Sequence, residues 1–144
     1  MSNSALEAAT DSVLPDGVWV FLVEDDEATR HSLEASFSSF NCQVRSFGTC
    51  EEFLAVAPEL PRGCLFLDYY FEGLTGLGLL DRLREQGIVF PTVLFTGRFD
   101  GYLRSRAAAY PEVVAVLDKP LNGRAMMQAL QFASKRLGDI SPER

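Results

Sequence analysis

The sequence predicts an α/β fold in which a doubly wound sheet of five parallel strands lies between two layers of helices. Three observations support this prediction. Short apolar runs alternate along the chain with stretches of helical period. The runs begin near residues 18, 43, 64, 92 and 113, so successive units are roughly 20 to 30 residues long, the size of a strand with its helix. Acidic, hydroxyl or basic residues follow four of the runs, where the strands of such a sheet would end.

The first unit follows a segment without structural signals. We expect residues 1–16 to be a mobile leader, because they have no apolar period and end in a turn signal. The first strand is the apolar run 18–23, which Glu24 and Asp25 follow. Asp26 is the predicted N-cap of the first helix. The apolar face of that helix consists of Thr29, Leu33, Phe37 and Phe40.

Helix boundaries can be read in the second and third units. Thr49 is the predicted cap of a short helix that Pro58 terminates. Asp68 follows the third apolar run, 64–67, and a helix with a leucine face ends before Gly87. The buried faces of these two helices are expected to contain Phe53, Leu54, Ala57, Leu79, Leu80 and Leu83.

The last two units have the same organisation. Thr96 follows the run 92–95, and a weaker helix is expected from about residue 100 to 109. Lys119 follows the run 113–118, and the last helix has the clearest amphipathic pattern. Its apolar residues are Leu121, Ala125, Met126, Ala129, Leu130, Phe132, Ala133 and Leu137.

Composition excludes several classes of protein. At 144 residues, the chain is expected to form one domain with a real core. A net charge of −7 argues against direct binding of nucleic acid, which needs a basic surface. The apolar runs are too short to span a membrane, and the acidic N-terminal stretch is not a signal peptide. The 3 cysteines lack a metal-binding spacing, so we expect reduced thiols in a cytoplasmic protein.

The polar residues after the strands predict a site for a divalent cation and a phosphoryl group. Glu24, Asp25 and Asp68 would bring three carboxylates to one edge of the sheet, and carboxylate oxygens are the ligands that Mg²⁺ prefers. Lys119 would place an ammonium among them as a charge clamp, and a carboxylate can act as a nucleophile toward phosphorus. The only histidine, His31, falls within a helix, which makes zinc an unsuitable metal.

These residues occur in four motifs whose order and spacing resemble a known family. The motifs are Val23-Glu24-Asp25-Asp26-Glu27, Leu67-Asp68, Phe95-Thr96-Gly97 and Asp118-Lys119-Pro120. The chain from about Gly17 to Leu137 resembles the receiver domain of two-component response regulators, in the single-domain, chemotaxis-regulator-like form. The resemblance implies a (βα)5 flavodoxin-like fold with strand order 2-1-3-4-5. It also implies a receiver domain over residues 17–138 and a C-terminal tail over 139–144.

The resemblance implies a role for each site residue. Asp68 is expected to be the phosphoacceptor, with Thr96 and Lys119 contacting phosphoryl oxygens. Asp25, Asp68 and the backbone carbonyl of Tyr70 are expected to ligate Mg²⁺, while Glu24 holds the ion through water. Arg30, five residues after Asp25, matches an arginine that is usual in the family, which makes Glu24 and Asp25 the acid pair.

The expected function is therefore that of a phosphorylation switch. The resemblance implies phosphate transfer from a histidine kinase or a phosphotransfer protein, followed by binding of a downstream protein partner, with a homodimer as a further option. We expect no enzymatic activity beyond the protein's own phosphorylation and dephosphorylation. Three alternatives stay open: the regulatory part of a longer DNA-binding regulator, a pseudo-receiver that binds without phosphorylation, and a phosphatase with an aspartate nucleophile. The phosphatase would need a second Asp at the position of Tyr70.

Three positions depart from the family pattern. Glu72 stands where a proline is common, and Val116 stands where an aromatic residue is common. The stretch 107–112 replaces a shorter Ala-Gly turn. We expect Val116 to be a buried strand residue, too short to couple Thr96 to the output face as an aromatic side chain would. Coupling would then pass through the loop 98–102 or the lengthened turn.

Overall fold

A computed structural model describes residues 17–71, 74–97 and 101–139 of the chain. The main sheet consists of β1 (Trp19–Val23), β2 (Gln43–Phe47), β3 (Cys64–Asp68), β6 (Thr92–Thr96) and β7 (Val113–Asp118). All neighbouring strands are parallel, in the order β2-β1-β3-β6-β7. Because β4 and β5 form a separate ribbon, β6 and β7 are the fourth and fifth strands of this sheet. The predicted fold class and the predicted strand order, 2-1-3-4-5, are therefore confirmed.

Five helices accompany these strands in the part of the chain that is described. They are α1 (Glu27–Ser39), α2 (Cys50–Val56), α3 (Gly76–Glu85), α4 (Gly101–Ala107) and α5 (Gly123–Asp139). None of these helices combines the length and the apolar character that crossing a lipid bilayer requires. The last helix extends to Asp139, the first residue of the predicted tail. The predicted leader, 1–16, lies outside the described residues.

The helix boundaries follow from local sequence. The side chain of Asp26 accepts a hydrogen bond from the backbone N–H of Thr29, and Thr49 caps α2 in the same way, so both predicted N-caps are confirmed. A short 3₁₀ turn, Ala57–Glu59, follows α2 because Pro58 cannot continue the α-helical hydrogen bonds. Gly87, with a φ of 75°, adopts the left-handed conformation that ends α3.

Helices cover both faces of the sheet, and alternate strand residues point to each face. Phe21 and Val23 of β1 pack in a cluster with residues of α2, α3 and α4. Val20 and Leu22 pack in a second cluster with residues of α1 and α5. The three cysteines are buried with free thiols, as expected. With a core on each face, the strand ends at the carboxyl edge remain available for a polar site.

Three features differ from the sequence-based expectations. A short antiparallel ribbon, β4 (Tyr70–Phe71) with β5 (Leu74–Thr75), lies directly after β3, where only a glycine-marked turn was predicted. Phe132, placed on the apolar side of the last helix, is 59% exposed. Val116 is half-buried rather than buried, because β7 is an edge strand that only β6 pairs among the described residues.

The lengthened turn after α4 is tied to α3 by polar contacts. The hydroxyl of Tyr110 donates to Asp81 Oδ1 at 2.8 Å. Arg84 donates from Nε and Nη2 to the two carboxylate oxygens of Glu112, at 2.9 and 2.5 Å. Glu112 is 5% exposed, so the bidentate pair satisfies a carboxylate that water hardly reaches. The turn around Tyr110 is thus joined to α3 by side-chain contacts in this structure.

Candidate functional site

The predicted acidic residues converge at the carboxyl edge of the sheet. Glu24 directly follows β1, and Asp68 is the last residue of β3. Val23 pairs with Leu67 in the parallel register, so Glu24 and Asp68 occupy corresponding positions on neighbouring strands. Glu24, Asp25 and Asp68 can each offer an oxygen such that these atoms lie within 4.8 Å of one another.

The three carboxylates differ in their exposure to solvent. Glu24 is 1% exposed and Asp68 is 5% exposed, while the side chain of Asp25 is exposed. The Glu24 carboxylate accepts a hydrogen bond from the backbone N–H of Asp26 at 2.9 Å. Two buried acids side by side repel each other, and this repulsion needs a compensating positive charge.

Lys119 supplies that charge. Its Nζ donates to Asp68 Oδ2 at 2.9 Å and to Glu24 Oε1 at 3.2 Å. The lysine reaches the acids from the end of β7, across the end of β6, and its Nζ lies 5.3 Å from the centre of the Phe95 ring. The backbone N–H of Lys119 donates to the carbonyl of Thr96 at 2.7 Å, which extends the pairing of β6 with β7 by one residue. The sheet therefore fixes the backbone of Lys119, and the two carboxylates hold its ammonium.

Burial and mutual charge shift the ionisation of the site. Burial raises the pKa of Glu24, and the negative charge of Asp68 raises it further, against the opposing effects of the Asp26 N–H and Lys119. Burial alone would lower the pKa of Lys119, but its hydrogen bonds and ion pairs with Asp68 and Glu24 outweigh this effect and raise it. Lys119 is thus held charged, and among the described residues it is the cation that bonds to the carboxylates, so three acids share one ammonium partner and leave a field that attracts a cation.

Backbone contacts place the carboxylate of Asp68. Its Oδ1 accepts a hydrogen bond from the backbone N–H of Tyr70 at 3.2 Å, and its Oδ2 accepts the bond from Lys119. Tyr70 belongs to the ribbon, where it pairs with Thr75, and Thr75 in turn caps α3 through Gly78. The ribbon therefore connects the segment after Asp68 to a helix, which holds the Tyr70 backbone next to the acid site.

Thr96 lies on the strand next to Asp68. It is the last residue of β6 and is 1% exposed, and its neighbour Phe95 pairs in register with Asp68. The structure thus brings Glu24, Asp25, Asp68, Tyr70, Thr96 and Lys119 to one edge. Arg98, which follows this strand, lies outside the described residues.

The donor set fits Mg²⁺ better than a softer metal. The three carboxylates supply hard oxygen ligands at mutual distances that one ion could bridge. Cys50 lines a cavity of about 270 Å³ together with Asp25. Burial raises the pKa of Cys50 to about 12, so it is a thiol rather than a ligating thiolate at neutral pH. His31 lies in a helix, as predicted, and is exposed on α1.

One contact in the site was not foreseen from the motifs. Arg30 Nη1 donates to the backbone carbonyl oxygen of Glu24 at 3.0 Å. The motifs indicated only that Arg30 matches a usual arginine of the family, which identified Glu24 and Asp25 as the acid pair. Arg30 lies four residues, about one turn, after the N-cap Asp26. Since helical side chains point toward the N-terminus of the helix, this spacing could have indicated that Arg30 faces the loop before α1.

Comparison with known proteins identifies the family. The model of the response regulator receiver domain matches residues 20–131. Nodulation protein W of Bradyrhizobium diazoefficiens is 32% identical over 130 residues, which are 90% of this chain and 54% of that protein. The transcriptional regulatory protein FixJ of the same organism is 30% identical over 117 residues, which are 81% of this chain and 57% of FixJ. The chain thus spans about half the length of these curated relatives.

Solved structures agree with this assignment. The structure of FixJ-N superposes with a TM-score of 0.77 and 27% identity, covering 84% of this chain and 96% of that one. Full-length FixJ from B. japonicum superposes with a TM-score of 0.75 and 27% identity, covering 85% of this chain and 60% of FixJ. The family match extends over most of the chain and covers the main sheet from the second residue of β1 to the end of β7. This chain therefore belongs to the receiver domains of the two-component response regulators.

Proposed function

We propose that this receiver domain accepts a phosphoryl group on Asp68, with Mg²⁺ bound at Glu24, Asp25 and Asp68, and signals by binding another protein. The observation that carries the proposal is the Asp68 carboxylate itself. It is buried at the carboxyl edge, held by a backbone N–H on one oxygen and by Lys119 on the other, and close to two further acids. Such a carboxylate is fixed in place as a nucleophile.

Each side chain has a defined task in this proposal. An oxygen of Asp68 attacks the phosphorus of a phosphohistidine or an acyl phosphate, and the bond from phosphorus to the donor breaks. Lys119 exchanges its bond with Asp68 for one with a phosphoryl oxygen, and the Thr96 hydroxyl donates to another. Asp25, with Asp68 and the Tyr70 carbonyl, would hold the metal ion directly, and Glu24 would do so through water. Bound Mg²⁺ would neutralise negative charge on the phosphoryl oxygens.

The partners follow from the same chemistry. The phosphoryl donor would be a histidine kinase or a phosphotransfer protein, and the output would be a downstream protein, with a homodimer as a further candidate assembly. The net charge of −7 disfavours direct contact with nucleic acid, and a cytoplasmic location fits such donors. Because the relatives are about twice as long, a second candidate is that these residues are the regulatory part of a longer DNA-binding regulator.

The proposal also separates this chain from true phosphatases. Tyr70 occupies the position where such an enzyme would have its general acid, and a phenol hydroxyl gives up its proton far less readily than a carboxylic acid does. We therefore propose that the chain is not an enzyme beyond its own phosphorylation and dephosphorylation.

The wild-type protein should bind beryllofluoride only when Mg²⁺ is present, with no multiple turnover of p-nitrophenyl phosphate. Fluorine NMR of the bound beryllofluoride and absorbance of released nitrophenol measure the two outcomes. Binding that needs no Mg²⁺ would contradict the proposed metal dependence. Absence of binding in either condition would favour the pseudo-receiver alternative, and sustained turnover would favour the phosphatase.

Tyr70→Ala should accelerate loss of the phosphoryl group by several-fold while leaving the yield of phosphorylation intact. Tyr70 is half-buried beside Asp68, and its ring stands at 89° to that of Tyr69, with centroids 4.6 Å apart. A bulky ring at this position restricts in-line attack by water. The decay of phosphorylated protein is followed by intact mass after removal of the donor.

Tyr70→Phe is the matched control for this experiment, because it keeps the ring and removes only the hydroxyl. We expect its decay rate to match that of wild type. If Tyr70→Ala decays at the wild-type rate, the ring does not shield the site. Arg98→Ala should also change the decay rate in this assay, because a guanidinium two residues beyond Thr96 would hold phosphoryl charge.

A further inference from the structure

The loop that carries the acid pair is held by a side chain from the following helix. The β1–β3 pairing ends at Val23 and Leu67, so the carbonyl of Glu24 lies beyond that ladder. Arg30 Nη1, from α1, donates to this carbonyl at 3.0 Å. On the other side of the residue, the backbone N–H of Glu24 donates to the carbonyl of Phe47 at 3.1 Å. Arg30 therefore fixes the peptide group between Glu24 and Asp25, and β2 fixes the preceding peptide group, between Val23 and Glu24.

Gly48 makes room for the guanidinium. A Cβ added at Gly48 would lie 3.3 Å from Arg30 Nη1 and 3.7 Å from Arg30 Cζ. The backbone of Gly48 lies outside the left-handed region, so the turn does not require glycine for its φ angle. The space that the missing side chain leaves is what Arg30 uses. A methyl group there would require the guanidinium to shift by a few tenths of an ångström, and we expect this shift to weaken its bond with Glu24.

We propose that Arg30, seated against Gly48, is a positioning residue for the cation site. The side chain of Asp25 is exposed, so packing does little to orient it, and its direction depends on the backbone. By fixing the peptide before Asp25, Arg30 keeps that carboxylate directed toward the space that Glu24 and Asp68 also face. This inference rests on the proposed function, because it concerns the affinity of the same site for Mg²⁺.

The charge of Arg30 makes the expected direction of the change in Mg²⁺ affinity informative. A guanidinium close to the site repels a divalent cation, so its removal should tighten Mg²⁺ binding if Arg30 acts through charge alone. If Arg30 acts by positioning, its removal should weaken binding in spite of the lost repulsion. Residues that orient metal ligands typically contribute about 10- to 100-fold to metal affinity. The two roles therefore predict changes of opposite direction.

Calorimetric titration with Mg²⁺ tests the proposal on the wild type, Arg30→Met, Arg30→Lys, Gly48→Ala and the double variant Arg30→Met/Gly48→Ala. We expect Arg30→Met to weaken Mg²⁺ binding about tenfold or more. Arg30→Lys should recover part of this loss, since an ammonium can donate to the same carbonyl. Gly48→Ala should weaken binding when Arg30 is present and have no further effect in the Met background.

Gly123→Ala is the matched control, because a Cβ there would meet nothing within 4 Å. It should bind Mg²⁺ like the wild type. Amide hydrogen exchange of the metal-free protein gives a second readout: Asp25 and Asp26 should exchange faster in Arg30→Met and Gly48→Ala, but not in Gly123→Ala. This readout does not depend on any bound ion.

Tighter or unchanged Mg²⁺ binding in Arg30→Met would overturn the inference. An equal loss from Gly48→Ala in both backgrounds would also overturn it, because the methyl group would then act directly on Asp25. If the wild type binds no Mg²⁺, the proposed function fails and this inference with it. If the wild type binds Mg²⁺ and the Arg30 variants are unaffected, only this inference fails.

Discussion

Asp68→Asn should abolish labelling of the protein by acetyl phosphate, a reaction that in the wild type should require Mg²⁺. The amide keeps the size and the hydrogen-bonding shape of the carboxylate but removes the nucleophilic oxygen. The other two carboxylates are expected to hold the metal ion rather than to react, Asp25 directly and Glu24 through water. Intact mass spectrometry measures the loss, which we expect to be complete.

Asp26→Asn is the matched control for that substitution. It makes the same chemical change at the same edge of the sheet, and asparagine caps a helix about as well as aspartate. Because Asp26 is exposed and its side chain bonds to Thr29, this variant should be labelled like the wild type. Labelling that persists in Asp68→Asn would mean that another residue accepts the phosphoryl group, and the proposed function would fail.

Saturating Mg²⁺ should raise the melting temperature of the wild type, and Asp25→Ala should lose that increase. Without a metal ion, the three carboxylates lie within a few ångströms of one another, and Lys119 bonds to two of them, so part of their mutual repulsion remains. A ligand that binds only the native state adds RT ln(1 + [L]/Kd), which is about 2.7 kcal/mol at a hundredfold excess over Kd. For a domain of this size, that corresponds to an increase of several degrees. Thermal denaturation followed by circular dichroism, with and without Mg²⁺, measures it.

Asp26→Ala is the control that distinguishes the loss of a metal ligand from the loss of any nearby carboxylate. This variant removes a neighbouring carboxylate and the N-cap of α1, so its metal-free melting temperature should be lower than that of the wild type. Its increase with Mg²⁺ should nevertheless be preserved, because Asp26 is not among the acids that converge on Asp68. An equal increase in Asp25→Ala and the wild type would place the metal elsewhere on this acidic protein.

The sequence was sufficient to predict which residues form the site, because each of them lies at the carboxyl end of a parallel strand and these ends are adjacent in the sheet. Apolar runs of strand length define the strands, and parallel strands end at one edge of the sheet. Glu24, Asp68 and Thr96 directly follow the last apolar residue of such a run, and Lys119 comes two residues after it. Their convergence therefore needed no knowledge of long-range contacts. The helix caps at Asp26 and Thr49 were predictable for a similar reason, since each is a local hydrogen bond.

Features that depend on the neighbours of a segment were less predictable. Val116 was expected to be buried, yet it is half-buried, because a strand sequence does not reveal whether one or two strands will pair with it. The β4–β5 ribbon spans only two residues per strand, too few for an alternating pattern to be recognised. Phe132 lies at the border of the apolar face of α5, where the packing of the adjacent elements decides its exposure.

The sequence by itself determined the fold class, the strand order expected of the family, and the identity of the residues at the site. Only the tertiary structure decided how those residues share their charges and contacts. Three features depend on distances between separate elements. Glu24 and Asp68 are buried whereas Asp25 is exposed, Lys119 bonds to two acids, and Arg30 packs against Gly48. Desolvation and hydrogen bonding act over a few ångströms in space, and residues as far apart as Glu24 and Lys119 become neighbours only when the sheet has formed.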